Sequence, residues 1–585
     1  MIGNFLNETK QKDSLPEIDL EEHIQVYKNL FQNMWVFRDH WRQVQQFTDP
    51  YTGRNLWGLR DPYEDLGMRK DQFRINAGPW LAKNELVAGF AEGMTPKDRP
   101  FFGFTLPDDN LMEDQLVQEY LFACRDICLG LMERSGFYDE MKSLYGELAV
   151  YGSGNLVIYE DPIQGAICQA DTIGEFVYGT GAHGKVDRTY RRKLKRVGSM
   201  VKEWGFDNCP CEIQQNFESG QVDKEWMVVH AIVPADYFDS SKGGTSAMQY
   251  ESFYFLEGAI GSKTEPSSAD QWAIDRRRFR SKPNLTPRWG VVGGSIYGIS
   301  PIMQVLGDIK QIQKLESKKL LGIDKTIDPP MLAPDSLRAV GIRVGPGQTN
   351  YYSAPMAPEQ VAPVYNLQFN IKDTAEEINN VMQRIDRAMF RDVFMAMTQM
   401  SEQNRGQSTA YEASRVWEEK MARIGPVVDS IENEVLRPAI NRFFEIALSL
   451  GLLPPPPPNL PPGMEMKIEY TSFLSQSKKQ IGLSSIQQAL GFAGQQAQIN
   501  PKSALLWNYE EAQREVNGSL GINPKLLLSK EEYQKALQQM QQEQQQQQAM
   551  QQAQPLANAA QKLSQTQVNG KSVLDHMTGG KGRAA

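Results

Sequence analysis

The sequence predicts an α+β chain of several domains, and three observations predict it. Apolar residues recur at helical spacing near the N-terminus and in two long central stretches. Between about 155 and 290 the pattern changes to short β-branched and aromatic runs separated by Gly, Asp and Ser clusters. The two central helical stretches flank an insert whose prolines and glycines forbid a long helix. A chain of 585 residues exceeds what one core covers, so roughly two to four domains are expected.

Residues 1–20 are polar and read as an arm. From Leu20 to Gln46 the pattern is helical, with Ile24, Tyr27, Leu30, Phe31, Met34 and Trp35 on one face. Turn residues crowd 48–67. A helix is expected at 78–93, a strand at 100–106, and helices at 111–134 and 136–150. The last ends at Tyr151-Gly-Ser-Gly154, where glycine takes the left-handed cap conformation. NLVIYE, EFVYG, DRTYRRKL, EWMVVHAIV and ESFYFLEG then read as antiparallel strands, with one helix near 198–204.

The first central helix is expected from Ser300 to Lys319. Ile302, Val305, Ile309, Ile312 and Leu315 form its apolar stripe, and Lys310, Lys314 and Lys318 lie opposite. The second is expected from Thr374 to Phe394. Thr374 and Glu377 have the spacing of a capping box, and Ile378, Val381, Ile385 and Met389 form the stripe. In the insert, Pro329, Pro330, Pro334, Gly345, Pro346 and Gly347 predict an irregular or β-containing head. Residues 395–408 are Met- and Gln-rich and contain Arg405. A further capping box at Thr409 to Glu412 opens a helix running to about Leu450, with kinks expected at Gly425-Pro426 and Pro438. Pro454 to Pro458 stiffens the chain as a polyproline spacer. One strand at 464–473, short helices over 475–535, a glutamine-rich stretch at 538–554 and a flexible tail at 555–585 complete the reading.

The net charge of −9 excludes a global basic field of the kind that drives tight duplex binding. It does not exclude a channel through which nucleic acid slides. Five scattered cysteines suit a reducing compartment rather than a disulfide scaffold. MIGNFLNETKQKDSLPEIDLEE has no apolar core, so no signal peptide is expected, and no run of apolar residues is long enough for a membrane span.

Candidate chemistry is sparse. Gly179-Thr-Gly-Ala-His-Gly-Lys185 has phosphate-loop spacing, but Val186 stands where a Ser or Thr hydroxyl is needed, and a strand follows rather than a helix. A hairpin turn is the better reading. Cys124/Cys128 and Cys209/Cys211 lack the usual zinc spacing. The five histidines are dispersed, and no nucleophile or carboxylate motif appears. The sequence therefore makes no case for catalysis, a cofactor or a metal. The lysine stripe is most simply a solvated helix face. A ring of such helices would convert it into a basic belt facing a phosphate backbone.

Several segments together resemble the portal, or head-to-tail connector, proteins of short-tailed bacteriophages. They are Phe137-Tyr-Asp-Glu140 with Tyr151-Gly-Ser-Gly-Asn155, Pro287-Arg-Trp289, Tyr297-Gly-Ile-Ser-Pro301, LGDIKQIQKL (306–315), Asp328-Pro-Pro330, Ser408 to Glu412, the proline run before 460, and Ile522-Asn-Pro with LLLSKEEYQ (526–534). The similarity runs in order over roughly 20–540; the glutamine run and 555–585 have no counterpart in it. The resemblance implies a portal-type α+β subunit: a mixed α/β wing (1–297), stem helix 1 (298–323), clip (324–370), stem helix 2 (371–395), channel loop (396–408), wing helix and proline spacer (409–463), helical crown (464–535) and a barrel or tail (536–585). It implies a non-enzymatic ring of about twelve subunits at one capsid vertex. Double-stranded DNA would pass through it during packaging and ejection. Terminase, a tail adaptor, and major capsid and scaffold proteins would be partners. The chain is then expected in the virion, and in host cytoplasm during assembly. Within this scheme Lys310, Lys314, Lys318 and Arg405 are the DNA-channel candidates, and Tyr351 and Tyr352 the clip candidates for partner docking. Two rivals remain: an adaptor or tail ring without a packaging role, and a nuclease or packaging ATPase, which would need the complete phosphate loop or a carboxylate cluster.

Overall fold

A computed structural model describes residues 18–58, 62–112, 114–235, 248–259, 273–327, 331–332, 362–363, 371–395, 423–461, 466–472, 474, 535–536, 538–540, 542, 567–568 and 571–572. The chain divides into two compact units. The larger comprises 1–103, 124–453 and 468–509, and the smaller 104–123, 454–467 and 510–585.

The larger unit begins with helix α1 (Leu20–Phe47), capped by Asp19, whose side chain accepts from the Glu22 N–H at 3.1 Å. Tyr27 and Met34 are buried as the periodicity requires. Trp35, placed on the same face by sequence, is instead half exposed, with the Arg38 guanidinium 3.8 Å from its ring centre. Short α2 (Pro62–Gly67) lies in the turn-rich stretch. Helix α3 (Gly78–Met94) carries Pro79 in its first turn, where the missing N–H costs nothing. In chain order β1 (Phe102–Thr105), α4 (Asp109–Met112) and α5 (Gln115–Arg134) follow, of which residues 104–123 belong to the smaller unit, and then α6 (Phe137–Tyr151) in the larger. Gly136 and Gly152 bracket α6, both with positive φ (73° and 71°); the cap at Gly152 is the one expected.

The β-rich block is antiparallel, as its pattern indicated. Strands β2 (Asn155–Asp161), β3 (Gly165–Asp171) and β9 (Asn284–Leu285) form one sheet in the order β3-β2-β9. Strands β4 (Phe176–Thr180), β5 (Val186–Arg196), β6 (Glu225–Pro234), β7 (Tyr250–Ala259) and β8 (Ile274–Phe279) form a sequential five-stranded sheet. Between β5 and β6 lie α7 (Val197–Trp204) and α8 (Cys211–Glu218). Strand alternation sorts the two faces of this sheet. Tyr190, Phe253 and Phe255 face α1, where they meet Tyr27 and His23. Trp226, Val228, Tyr254 and Leu256 face the other way and pack with Met200, Trp204 and Ile213 of α7 and α8.

The phosphate-loop look-alike is the β4–β5 hairpin turn: Thr180 pairs with Val186, and the Gly181 N–H donates to Lys185 O at 3.0 Å. No helix N-terminus follows to hold phosphate. Sequence reading missed α2, β3, β8, β9 and α8. Strand β8 reads IDRRRF, too charged for a strand signal, but its Arg278 is neutralised by Glu251 of β7 at 3.1 Å. Residues 423–431 are helical and continue through a π-helical turn at Glu432–Leu436 into α12 (Arg437–Ser449). The wider turn precedes Pro438, which has no N–H and would crowd the carbonyl of Glu434 in a regular helix. Strand β12 (Lys467–Tyr470) falls within the strand expected at 464–473. The region expected as short helices (475–535) lies almost wholly outside the described residues.

In the smaller unit the Asn459 amide donates to Asp114 Oδ2 at 2.7 Å. Within 555–585, expected as a flexible tail, β13 (Gln567–Val568) and β14 (Lys571–Ser572) instead pair as a short antiparallel hairpin. Among the described residues, no helix is long and apolar enough to cross a membrane, and no group of three His, Cys, Asp or Glu side chains is placed to hold a metal.

Candidate functional site

The central helices exist, with boundaries that differ from the sequence expectation. Ser300 caps α9 (Pro301–Gln304), its hydroxyl accepting from the Met303 N–H at 2.9 Å. The helix breaks at Val305 and resumes as α10 (Leu306–Ile327), eight residues beyond the expected Lys319. Helix α11 (Ile371–Ala388) starts three residues before Thr374. Thr374 is therefore inside the helix and makes no capping box. Asp373 stands in the first turn, where a carboxylate complements the helix dipole. The second helix also stops early. A turn at Met389-Phe390, with Phe390 at φ 55°, redirects the chain before residues 391–395 resume helical geometry. In the insert, β10 (Met331–Leu332) pairs antiparallel with β11 (Ala362–Pro363), an element of the β-containing head expected there.

α10 and α11 pack antiparallel. Arg384 reaches Asp308 at 3.1 Å, and Gln311 reaches Glu377 at 3.5 Å. Ile309, Ile312, Ile378, Val381, Ile385 and Met389 are buried as their spacing demanded. Leu315, the outermost residue of the first stripe, is only partly covered.

Three devices root the pair in the larger unit. The first is a backbone joint. Ser300 Oγ donates to Val150 O at 2.8 Å, the Trp289 N–H donates to Gly152 O at 2.8 Å, and the Gly298 N–H donates to Ser153 Oγ at 2.9 Å. A Cβ on Gly152 would sit 2.6 Å from Gly298 O, so two backbones touch there and only glycine fits. The second is Gln313, buried on the inner face of α10. Its Oε1 accepts from the N–H groups of Ile75 and Asn76, each at 2.7 Å, and its Nε2 donates to Asn76 O at 2.9 Å. The third is a set of ion pairs at the base of α11: Arg391 with Glu85 of α3 at 2.5 Å and with Asp386 at 3.1 Å, and Arg423 with Asp392 at 3.0 Å.

The three stripe lysines do not share one environment. Lys310 is half-buried against α1; its Nζ donates to Gln43 Oε1 at 2.6 Å and lies 5.7 Å from the Phe47 ring centre. Burial, and after it the Lys310 ammonium, lowers the pKa of His40. Lys314 and Lys318 are exposed. Arg405, Tyr351 and Tyr352 lie outside the described residues. Sequence reasoning missed Gln313 and the glycine joint. The signal for Gln313 was a polar side chain next to Ile312 on a buried face. Segments 151–155, 287–289 and 297–301, distant in sequence, meet at the joint.

A cluster of buried charge lies elsewhere, between the two sheets. The Arg191 guanidinium donates to Asp171 Oδ1 at 2.8 Å, Lys193 reaches the same oxygen at 2.5 Å, and the Asn155 amide donates to Oδ2 at 2.5 Å. Burial alone would raise the Asp171 pKa, but the Arg191 and Lys193 charges outweigh it and hold it at about 2. Burial, aided by Arg191, drives His230 well below the usual histidine range, so it is neutral. Glu147 accepts from Thr172 Oγ1 at 2.7 Å and the Ile173 N–H at 3.0 Å, and burial pushes its pKa up to about 8. Cys128 and Cys168 are buried thiols, both pushed up to about 12 by desolvation. Asp171, Arg191, His230, Glu147, Cys128 and Cys168 are all buried.

The profile of the family described as "Bacteriophage head to tail connecting protein" matches residues 20–528. Over 561 residues the chain is 29% identical to the portal protein of Salmonella phage epsilon15, covering 96% of this chain and 98% of that one. It is 29% identical over 489 residues to the probable portal protein of Bordetella phage BPP-1, covering 84% and 85%. A solved chain from the virion of a native gene transfer agent particle aligns at 11% identity and a TM-score of 0.29, covering 70% of this chain and 95% of that one.

Proposed function

The chain belongs to the bacteriophage head to tail connecting protein family, and from that premise we propose that it is the portal subunit of a short-tailed phage. It assembles as a closed ring of about twelve copies at one capsid vertex. Double-stranded DNA enters and leaves through the bore, and the ring is the docking platform for terminase and for the tail adaptor. Its partners in the capsid are the major capsid and scaffold proteins. It catalyses nothing itself. The observation that carries this reading is the family match across 20–528, which includes the rooted helix pair.

In this scheme 1–297 and 409–463 form the wing, 298–323 and 371–395 the two stem helices, 324–370 the clip, 396–408 a channel loop, 464–535 the crown and 536–585 a barrel or tail. Arg405 in the channel loop faces DNA, and Tyr351 and Tyr352 in the clip contact terminase or adaptor. Lys310 is occupied by Gln43, so Lys314 and Lys318 are the stripe lysines left for a partner outside the chain. An acidic chain suits a conduit. Each phosphate contact that releases counterions adds affinity, and DNA that must slide cannot be held at many such contacts.

Electron microscopy and native mass spectrometry of the purified chain test the proposal. Rings of about twelve subunits with an open centre are expected. A compact monomer at every concentration, with or without scaffold protein, would overturn it.

A further inference from the structure

We propose that residues 389–391 form a two-position joint. In the bent position, seen in the structure, α11 ends at Ala388 and the helical segment 391–395 turns off its axis. In the straight position the helix runs unbroken from Ile371 through Met395.

The local sequence favours the straight position. Between Ile371 and Met395 there is no glycine and no proline, so nothing in the chain itself ends a helix at 388. The bend turns on Phe390, whose φ of 55° is left-handed. That conformation crowds Cβ against the following carbonyl, and a bulky residue adopts it only where its surroundings impose it. Glycine is the usual residue where a helix closes in this way.

Arg423 imposes the bend from one side. Its Nη2 donates to Arg387 O at 3.1 Å, its Nη1 donates to Asp392 Oδ2 at 3.0 Å, and its guanidinium carbon lies 5.9 Å from the Phe390 ring centre. One side chain thus spans the end of α11, the start of segment 391–395 and the strained residue between them. Arg387 O also accepts from the Phe390 N–H at 3.3 Å, so both its lone pairs are in use. In a continuous helix the same oxygen would accept from the Arg391 N–H.

Phe394 imposes the bend from the other side. It is buried against α3, with its ring centre 5.7 Å from that of Phe90. Gly89 cuts the seat, because a Cβ there would overlap the Phe394 ring. Glycine inside a helix is unfavourable, and the seat is what it provides here. Arg391 fastens the same segment to Glu85 of α3. At about 100° per residue, a continuous helix would carry Phe394 roughly opposite Ile385, away from the buried stripe. Backbone strain and helix continuity therefore pull one way, and the seated ring and ion pairs pull the other. Opposed terms of this kind leave two arrangements for contacts to choose between. The choice sets the direction in which the chain runs on from Met395.

Spin labels at Glu376→Cys and Met395→Cys, both exposed positions, read the joint as a distance. Cys211, the cysteine that is not buried, is replaced by Ser, and labelled chain is diluted with unlabelled chain so that only distances within one copy register. A straight helix sets the two backbones ~28 Å apart at about 1.5 Å per residue, and the bend brings them closer. The unmodified chain should show the shorter distance as its main population. Arg423→Gln, which opens the clamp, and Gly89→Leu, which fills the seat, should each raise the longer-distance population severalfold. Phe390→Gly, which removes the strain of the bend, should abolish it. Melting curves check that each variant is folded. The Arg423 side chain is 45% exposed, so Arg423→Gln carries the test if Gly89→Leu does not fold. One unchanged distance in Arg423→Gln and Phe390→Gly alike would overturn the joint. A broad spread without a peak at the straight-helix distance would also overturn it, since the segment then frays instead of straightening. Neither outcome depends on whether the chain forms rings.

Discussion

The sheet junction and the helix pair are both rich in charge, and they treat it in opposite ways. At the junction, Asp171, Arg191, Lys193 and Asn155 are closed into one hydrogen-bonded cluster, with Asp171 and Arg191 fully buried. On the outer half of the pair, Lys314, Lys318, Asp373 and Glu376 stand in solvent. The junction is complete within one chain. The pair is complete at its root, where Gln313 and the Gly152–Gly298 joint hold it, and open beyond. The difference teaches where this subunit ends as a folding unit and where it begins as a component.

The comparison breaks most sharply at Asp171. Asp171→Ala would strand Arg191 in a buried site, and a loss of about 3–5 kcal/mol is expected in urea denaturation. An effect below ~1 kcal/mol would mean the cluster is solvated and no different from the surface. Glu147 sharpens the same side through pH. Its folded pKa of about 8 lies above the ordinary 4.5, so the folded chain keeps a proton that the unfolded chain releases. Its contribution is full below about 4.5 and is lost progressively up to about 8, so stability falls as pH rises through that window. Glu147→Gln, which cannot ionise, should flatten the decline in a pH series of melting curves. An unchanged slope would reject the assignment. Gln313 tests the root of the pair. Gln313→Leu leaves the N–H groups of Ile75 and Asn76 without their acceptor, for an expected cost of about 1–3 kcal/mol. Faster hydrogen exchange should appear at those two amides while the β5–β6 amides keep their protection. Uniform loss of protection would show that the pair and the junction unfold as one.

Much of the frame was legible beforehand. The strands β2, β4, β5, β6 and β7 declared themselves by β-branched and aromatic content, and the end of α6 by its glycine cap at Gly152. The stripes of α10 and α11 were legible because burial on one face imposes a period of 3.6 residues. What was not legible had a common cause. Strand β8 is charged, and Glu251 of the neighbouring strand neutralises two of its three arginines. Thr374 had the right neighbours for a cap, yet the helix runs past it to Ile371. Lys310 looked like the other two lysines, and only the nearness of α1 set it apart.

By itself, then, the sequence determined the α+β class, the helix–insert–helix unit, the turn nature of the 179–185 glycine loop, and membership of a family whose profile spans most of the chain. Those properties rest on local period and ordered motifs, which are written along one dimension. The tertiary structure decided which charges are paired inside the chain and which stand in solvent. It also decided that Gly152 and Gly298, 146 positions apart, meet backbone to backbone. A contact between distant positions depends on how the elements pack, and packing carries no signal in the spacing of neighbours.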